Sequence, residues 1–157
     1  MKLPGWETSN RIQFSVPKER VSIDTEIVPI LFRLSSTTGF SKTDLTFVFD
    51  YMSVSGSSYA NRKKVAFSQL INGEEVQLHA ELDMWDHVTE KALFWVKPKE
   101  ISSTYENIFY FYYDKTKDVN IRYISEAGDL SIYPFINTGA DATYDIYGGK
   151  PIALIKI

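Results

Sequence analysis

The polar residues with the closest spacing lie between positions 79 and 87. His79, Glu81 and Asp83 alternate in sequence, so on a β-strand they share one face, and Asp86 and His87 follow at its end. Imidazole nitrogens and carboxylate oxygens bind metal ions, so this face could hold a hard cation. Strand neighbours two residues apart lie roughly 6–7 Å from each other, however, and calcium loops usually use consecutive turn residues. The sequence favours a solvated strand face and predicts no metal site, with His79, Glu81 and Asp83 as the alternative.

Paired carboxylates also suggest glycoside hydrolysis, in which two acids flank one bond at roughly 5–10 Å. Glu81 with Asp83, or Asp83 with Asp86, could meet that distance, but nothing in the sequence marks either member as a buried acid. The chain has no cysteine, no nucleophile elbow and no glycine loop for phosphate, which leaves no thiolate and no recognisable catalytic motif. We therefore expect no catalytic residue, no enzymatic activity and no cofactor.

Aromatic side chains can stack on the apolar face of a sugar ring. Trp95 lies between two apolar strand residues and is predicted to be core, whereas Trp6 is expected to cap one end of the fold. Trp85 follows the acidic strand and shares the parity of Glu81, which makes it a better candidate for a surface position. The candidate ligand-binding residues are Trp85, Asp86, Tyr144 and Tyr147.

The elements that must position these residues are predicted to be strands. Tyr, Phe and Trp make up 15% of the 157 residues, and most segments alternate apolar and polar positions. Turn signals rich in glycine separate the segments, and no window carries a convincing helical stripe. We predict one all-β domain over residues 1–157, an antiparallel, jelly-roll-like β-sandwich with little helix.

Particular segments carry this prediction. Alternation predicts strands over residues 45–51 and 76–84, the second with Met84 on its apolar face, and Asn72 with Gly73 predicts a tight hairpin. Residues 108–113 (IFYFYY) suit a central strand covered on both faces. Residues 59–70 could hold one short helix at most. The predicted core contains Phe14, Ile30, Leu78, Phe94, Val96, Tyr110 and Tyr112.

The net charge and the hydropathy of the sequence argue against two classes of partner. A net charge of −3 and a pI near 5.4 give no general attraction to nucleic acid. No stretch approaches the ~20 apolar residues of a membrane span, and residues 1–5 do not open a secretion signal. We expect no nucleic acid partner and no membrane insertion.

Several ordered blocks resemble a known family. They are IQFSV at 12–16 after Trp6 and Arg11, VPILF at 28–32, NGEEV at 72–76, AELDMWD at 80–86, KALFWVKP at 91–98 and IFYFYY at 108–113. Residues 6–114 with these blocks resemble the domain of unknown function numbered 2341. Residues 115–157 depart from it. The resemblance implies a β-sandwich module without known catalysis, found beside lectin-like domains in prokaryotic surface proteins and in phage structural proteins.

The C-terminal residues 142–157 are apolar with few charges, and residues 151–157 predict a strand that closes the domain's own sheet or pairs with a neighbouring subunit. Own-sheet closure is favoured. This apolar C-terminal segment and the family resemblance together predict a structural or adhesive domain. Residues 1–157 contain neither a lectin-like domain nor a signal peptide, which agrees with that prediction. Its expected place is a virion or extracellular surface, a phage virion first, with itself or other subunits as partners. The alternatives are a carbohydrate-binding module for a surface glycan and a glycan-active hydrolase.

Overall fold

The computed structural model describes residues 2–24, 29–52, 61–117, 123–126 and 155–157. In chain order its elements are β1 (Arg11–Val16), β2 (Ile30–Leu34), α1 (Phe47–Met52), β3 (Val65–Ile71), β4 (Glu74–Leu78), β5 (Ala80–Asp86), β6 (Lys91–Val96), β7 (Asn107–Tyr113) and β8 (Ile124–Glu126). Short 3-10 turns occupy Thr8–Asn10, Lys18–Arg20 and Arg62–Lys64.

The strands form two four-stranded sheets, which confirms the predicted all-β sandwich. The first sheet has the order β1-β7-β3-β4 and the second has the order β2-β6-β5-β8. All pairs are antiparallel except β5 with β8, and helix accounts for only 15% of the described part of the chain. No helix in the described ranges is long and apolar enough to cross a membrane.

Phenylalanine rings from both sheets fill the space between them. Phe14 lies 4.7 Å from Phe32, Phe32 lies 5.0 Å from Phe111, and Phe67 lies 5.2 Å from Phe94, measured between ring centroids. These rings are almost wholly inaccessible to solvent, and such aromatic pairs add to the free energy of burial. The predicted burial of Phe14, Ile30, Leu78, Phe94 and Val96 is confirmed.

Strand β7 is covered on both faces, as its sequence predicts. Phe109 and Phe111 face the other sheet, whereas Tyr110 and Tyr112 face outward and are nevertheless buried. The N-terminal segment, residues 2–10, covers them, with Trp6 lying 5.9 Å from the Tyr112 ring. Trp6 thus lies across a sheet face and not, as expected, over one end of the sandwich.

The predicted strand over residues 45–51 is wrong, because α1 occupies most of it. Leu45, Val48, Phe49 and Met52 are spaced at i, i+3, i+4 and i+7, and all four are buried. That spacing is an apolar helical stripe. The alternating set that predicted a strand, Leu45, Phe47, Phe49 and Tyr51, shares only Leu45 and Phe49 with it, and Phe47 is exposed. The Asp44 carboxylate accepts hydrogen bonds from the backbone and hydroxyl of Thr46, which fixes the turn into the helix.

The region around β3 agrees with the sequence at two points. Residues 59–70 were expected to hold one short helix at most, and they contain the 3-10 turn Arg62–Lys64 followed by β3, while residues 59 and 60 lie outside the described residues. The hairpin at Asn72 and Gly73 joins β3 to β4, with φ of 51° and 81°. Both angles are positive, as a type I′ turn requires.

The chain end pairs with the edge of the first sheet. Ser15 of β1 and Lys156 exchange two backbone hydrogen bonds of 2.8 Å, and Ile155 is buried in the core. Own-sheet pairing therefore holds for residues 155–157, while residues 142–154 lie outside the described part. Gly39 makes this docking possible, because a Cβ there would lie 2.4 Å from the Ile155 carbonyl oxygen.

Replacing Gly39 by alanine should therefore undock the chain end. We expect Gly39→Ala to lower the free energy of unfolding by about 1–3 kcal/mol more than Gly5→Ala in urea titrations. Gly5 is the matched control because its φ is also positive, at 84°, but nothing lies within 4 Å of a Cβ there. Hydrogen exchange at the Lys156 amide should accelerate only in Gly39→Ala. Equal losses in both variants would contradict the close approach.

Candidate functional site

A β-bulge in β5 decides which side chains reach the surface of the second sheet. Leu82 pairs with Phe94 of β6, but Met84 pairs with the next residue, Leu93, so Asp83 is an extra residue in the ladder. An extra residue reverses the alternation of everything that follows it. Met84, predicted to face the core, is exposed, and Trp85 is buried at 9% exposure.

Trp85 is consequently unsuited to stack on a sugar. Its ring lies 5.0 Å from Phe49 and 6.3 Å from Phe94, inside the core. Asp86, the other candidate from this strand, accepts hydrogen bonds from the backbone amides of Val88 and Thr89, which close the β5–β6 turn. The hydrogen bonds to Thr89 hold the pKa of Asp86 below its ordinary value. Trp85 thus belongs to the core, and Asp86 stabilises the β5–β6 turn.

The two other candidate ligand-binding residues, Tyr144 and Tyr147, lie outside the described residues.

Trp95, and not Trp85, is the tryptophan on the outer surface of the second sheet. The prediction that Trp95 is core is wrong, because Phe94 and Val96 face inward and Trp95 points outward, where it is partly exposed. Residues of three neighbouring strands surround it. We call this outer surface of β2, β6 and β5 the tryptophan face; its members are Leu31, Arg33, Glu81, Asp83, Met84, Leu93 and Trp95.

The tryptophan face is arranged in cross-strand rows. One row runs from Leu31 through Trp95 to Glu81, and the next runs from Arg33 through Leu93 to Met84. Directly opposed side chains on one sheet face lie about 5 Å apart and contact each other. The centre of the face is therefore apolar.

Glu81 is the unusual member of the face. It is only 5% exposed, and burial, followed by the negative charge of Asp83, raises the pKa of its carboxyl. The sequence placed Glu81 on a solvated strand face, so this burial is a correction. Among the described residues, no cation lies within ion-pair distance of Glu81 or Asp83.

The metal alternative gains no support from the geometry. No group of three or more His, Asp or Glu side chains in the described ranges is placed to hold an ion. His79, which belonged to that alternative, packs its ring 4.8 Å from the Tyr123 ring.

The outer surface of the first sheet is built differently, around one buried carboxylate. The Glu75 side chain is 1% exposed, pairs with the Arg11 guanidinium, and accepts hydrogen bonds of 2.6 Å from the hydroxyls of Ser68 and Tyr112. The Tyr112 oxygen in turn accepts a hydrogen bond from the backbone amide of Leu3. Burial, and then the bond to Glu75, raise the pKa of Tyr112. The polar groups around Glu75 therefore bond to one another.

A scan of protein-family models, a search of curated proteins and a search of solved structures each gave no match for this chain. The family resemblance of residues 6–114 stays a prediction.

Removing the charge of Glu75 should destabilise the protein. Glu75→Gln keeps the shape but weakens the charge-assisted hydrogen bonds and leaves Arg11 without its counterion, so we expect a loss of about 2 kcal/mol in urea unfolding. Glu74→Gln is the matched control, because Glu74 is exposed and should change stability by no more than about 0.5 kcal/mol. Similar small effects of both variants would contradict the network.

Removing the charge of Glu81 should stabilise the protein at neutral pH. A raised pKa in the folded state means that folding favours the protonated carboxyl, so its stabilising contribution is present below the ordinary pKa of 4.5 and is lost as pH rises through the folded value. We expect Glu81→Gln to raise the thermal midpoint at pH 7, and the difference from wild type to shrink toward pH 4. A lower midpoint at pH 7 would show that Glu81 is stabilised when ionised.

Proposed function

We propose that this chain is a non-catalytic structural or adhesive β-sandwich domain of a multi-subunit surface assembly, and that it works through the tryptophan face. The observation that carries this proposal is Trp95, a partly exposed tryptophan at the middle of a sheet face, flanked by Leu31 and Glu81. On the outer face of the other sheet, Leu3 and Trp6 cover the aromatic residues Tyr110 and Tyr112.

The composition of the tryptophan face supports binding to another macromolecule. Tryptophan, methionine and arginine are enriched in protein interfaces, and a few aromatic anchors usually supply most of the binding energy. Trp95, Met84 and Arg33 fit that description, with Leu31 and Leu93 completing an apolar centre inside a charged rim. A sheet face held rigid by the core beneath it also loses little conformational entropy on binding.

A phage virion is the setting that the resemblance favours. In such a particle many copies act together, so weak contacts by individual domains multiply into stable attachment. The resemblance to a module of surface and phage structural proteins supports this setting.

A second candidate is a carbohydrate-binding module that uses the same face. Trp95 offers an aromatic ring for a sugar, and Glu81 and Asp83 beside it offer acceptors for sugar hydroxyls. A glycan-active hydrolase is the third candidate, because Glu81 is buried on the same strand as Asp83 and burial raises the pKa of its carboxyl, as a general acid requires.

The proposal is tested by replacing Trp95 in the protein in its native source. We expect Trp95→Ala to lower the fraction sedimenting in the assembly by at least about tenfold, because an interface tryptophan is typically worth ~2 kcal/mol or more. The thermal midpoint of the purified variant should stay near that of wild type. Tyr105→Ala is the control, because Tyr105 is also an exposed aromatic residue, at 56%, but lies outside the tryptophan face.

Wild-type protein that sediments as a free monomer in its source would contradict the proposal. A glycan array separates the other candidates. Binding of a glycan by the purified wild type that is lost in Trp95→Ala would favour the carbohydrate-binding module. Cleavage of that glycan, lost in Glu81→Gln or Asp83→Asn, would favour the hydrolase.

A further inference from the structure

We infer that the tryptophan face is self-complementary and that its partner is the same face of a second copy of this chain. This inference rests on the proposed function, because it names the partner of the face through which the domain is proposed to assemble. The distribution of charge across the three strands carries it.

The charges of the face are separated by strand. Arg33 on β2 is exposed and makes no ion pair with any described residue, while Asp83 and Glu81 lie on β5, two strands away. Strand β6 lies between them and presents Leu93 and Trp95 outward, while the exposed Lys91 at its first residue lies opposite Asp86 of β5. The face thus has one basic side and one acidic side with an apolar strip between them.

Such a face matches itself under one particular symmetry. When two copies pack face to face about a two-fold axis that runs along β6, the β2 side of each copy lies over the β5 side of the other. The rotation keeps each cross-strand row at its own level, so Arg33 of one copy meets the bulge at Asp83 and Met84 of its partner. In an isologous interface every such contact occurs twice.

The same rotation stacks the apolar strip on itself. Trp95 and Leu93 lie nearest the axis, so each meets its own counterpart, and Leu31 meets the level of Glu81. Aromatic anchors at the centre of an interface with charges around them are the usual arrangement of a binding hot spot. Contact with Arg33 would also supply the counterion that Asp83 lacks among the described residues.

The size of the face limits the strength of this pairing. Three strands about 4.8 Å apart and six residues of about 3.3 Å each span roughly 14 Å by 20 Å. Two such faces together cover roughly 600 Å², below the ~1,200 Å² of stable specific interfaces, so the pairing is weak and an isolated pair should form only at high micromolar concentration or above. Repetition in an assembly would then supply the remaining stability.

Charge reversal provides the test. Arg33→Glu and Asp83→Lys each create two like-charge contacts in a homodimer, so sedimentation equilibrium of each purified variant should show dimerisation at least about tenfold weaker than wild type. An equimolar mixture of the two variants restores both opposite-charge contacts. We expect the mixture to form heterodimers with an affinity within about threefold of wild type, whereas each variant alone stays monomeric.

Matched controls use charge reversals at exposed positions outside the face. Lys99→Glu and Glu74→Lys should dimerise like wild type, and circular dichroism should show that all four variants are folded.

Recovery of dimerisation in the equimolar mixture of Arg33→Glu and Asp83→Lys supports the inference. A purified wild type that remains monomeric up to about 1 mM, or a dimer unaffected by either reversal, overturns it. The proposed function survives those two outcomes if the protein in its source still assembles through Trp95 with other subunits. Glycan binding by a monomer also overturns the inference and favours the carbohydrate-binding module.

Discussion

One buried carboxylate organises the first sheet. Glu75 on β4 bonds to Ser68 on β3, to Tyr112 on β7 and to Arg11 on β1, so a single side chain connects all four strands. A buried charge is costly unless it is paired and hydrogen-bonded, and here the partners must hold their positions to satisfy it. The Arg11 guanidinium also lies 4.1 Å from the centre of the Tyr110 ring, and Tyr112 anchors Leu3. The network therefore fixes residues 2–10 over the sheet.

This cover makes the two outer faces of the sandwich chemically different. On the first sheet the aromatic residues of β7 are buried under Trp6, and the polar atoms around Glu75 bond to one another. On the second sheet Trp95 is partly exposed and Glu81 carries a charge that burial disfavours. A group that lowers stability without serving the fold is a common sign of a functional surface. The contrast between the faces, more than any single residue, is why we assign function to the second.

The sequence predicted several parts of this structure that depend on local pattern. It was wrong over residues 45–51, where a helix forms, and over residues 76–84, which belong to two strands in different sheets. The sandwich, the Asn72-Gly73 hairpin and the two-sided burial of β7 follow from alternation and turn chemistry. The candidate site was misassigned because one extra residue, Asp83, reverses the parity of β5, and no composition signal marks a bulge there. If Phe94 and Val96 had been assigned to the core side of β6, Trp95 would have been predicted to face outward, because consecutive side chains on a strand point to opposite faces of the sheet. The Glu75 network joins residues far apart in sequence, so pattern alone could not predict it.

Oxidative footprinting of the three tryptophans tests the central claim most directly, because Trp6, Trp85 and Trp95 report on the N-terminal cover, the core and the tryptophan face. The measurement compares dilute purified protein with protein in its native assembly by peptide mass spectrometry. We predict that Trp95 is modified in the dilute protein and becomes protected in the assembly, while Trp6 and Trp85 stay protected in both. Equal modification of Trp95 in the two states, or a change confined to Trp6, would contradict it.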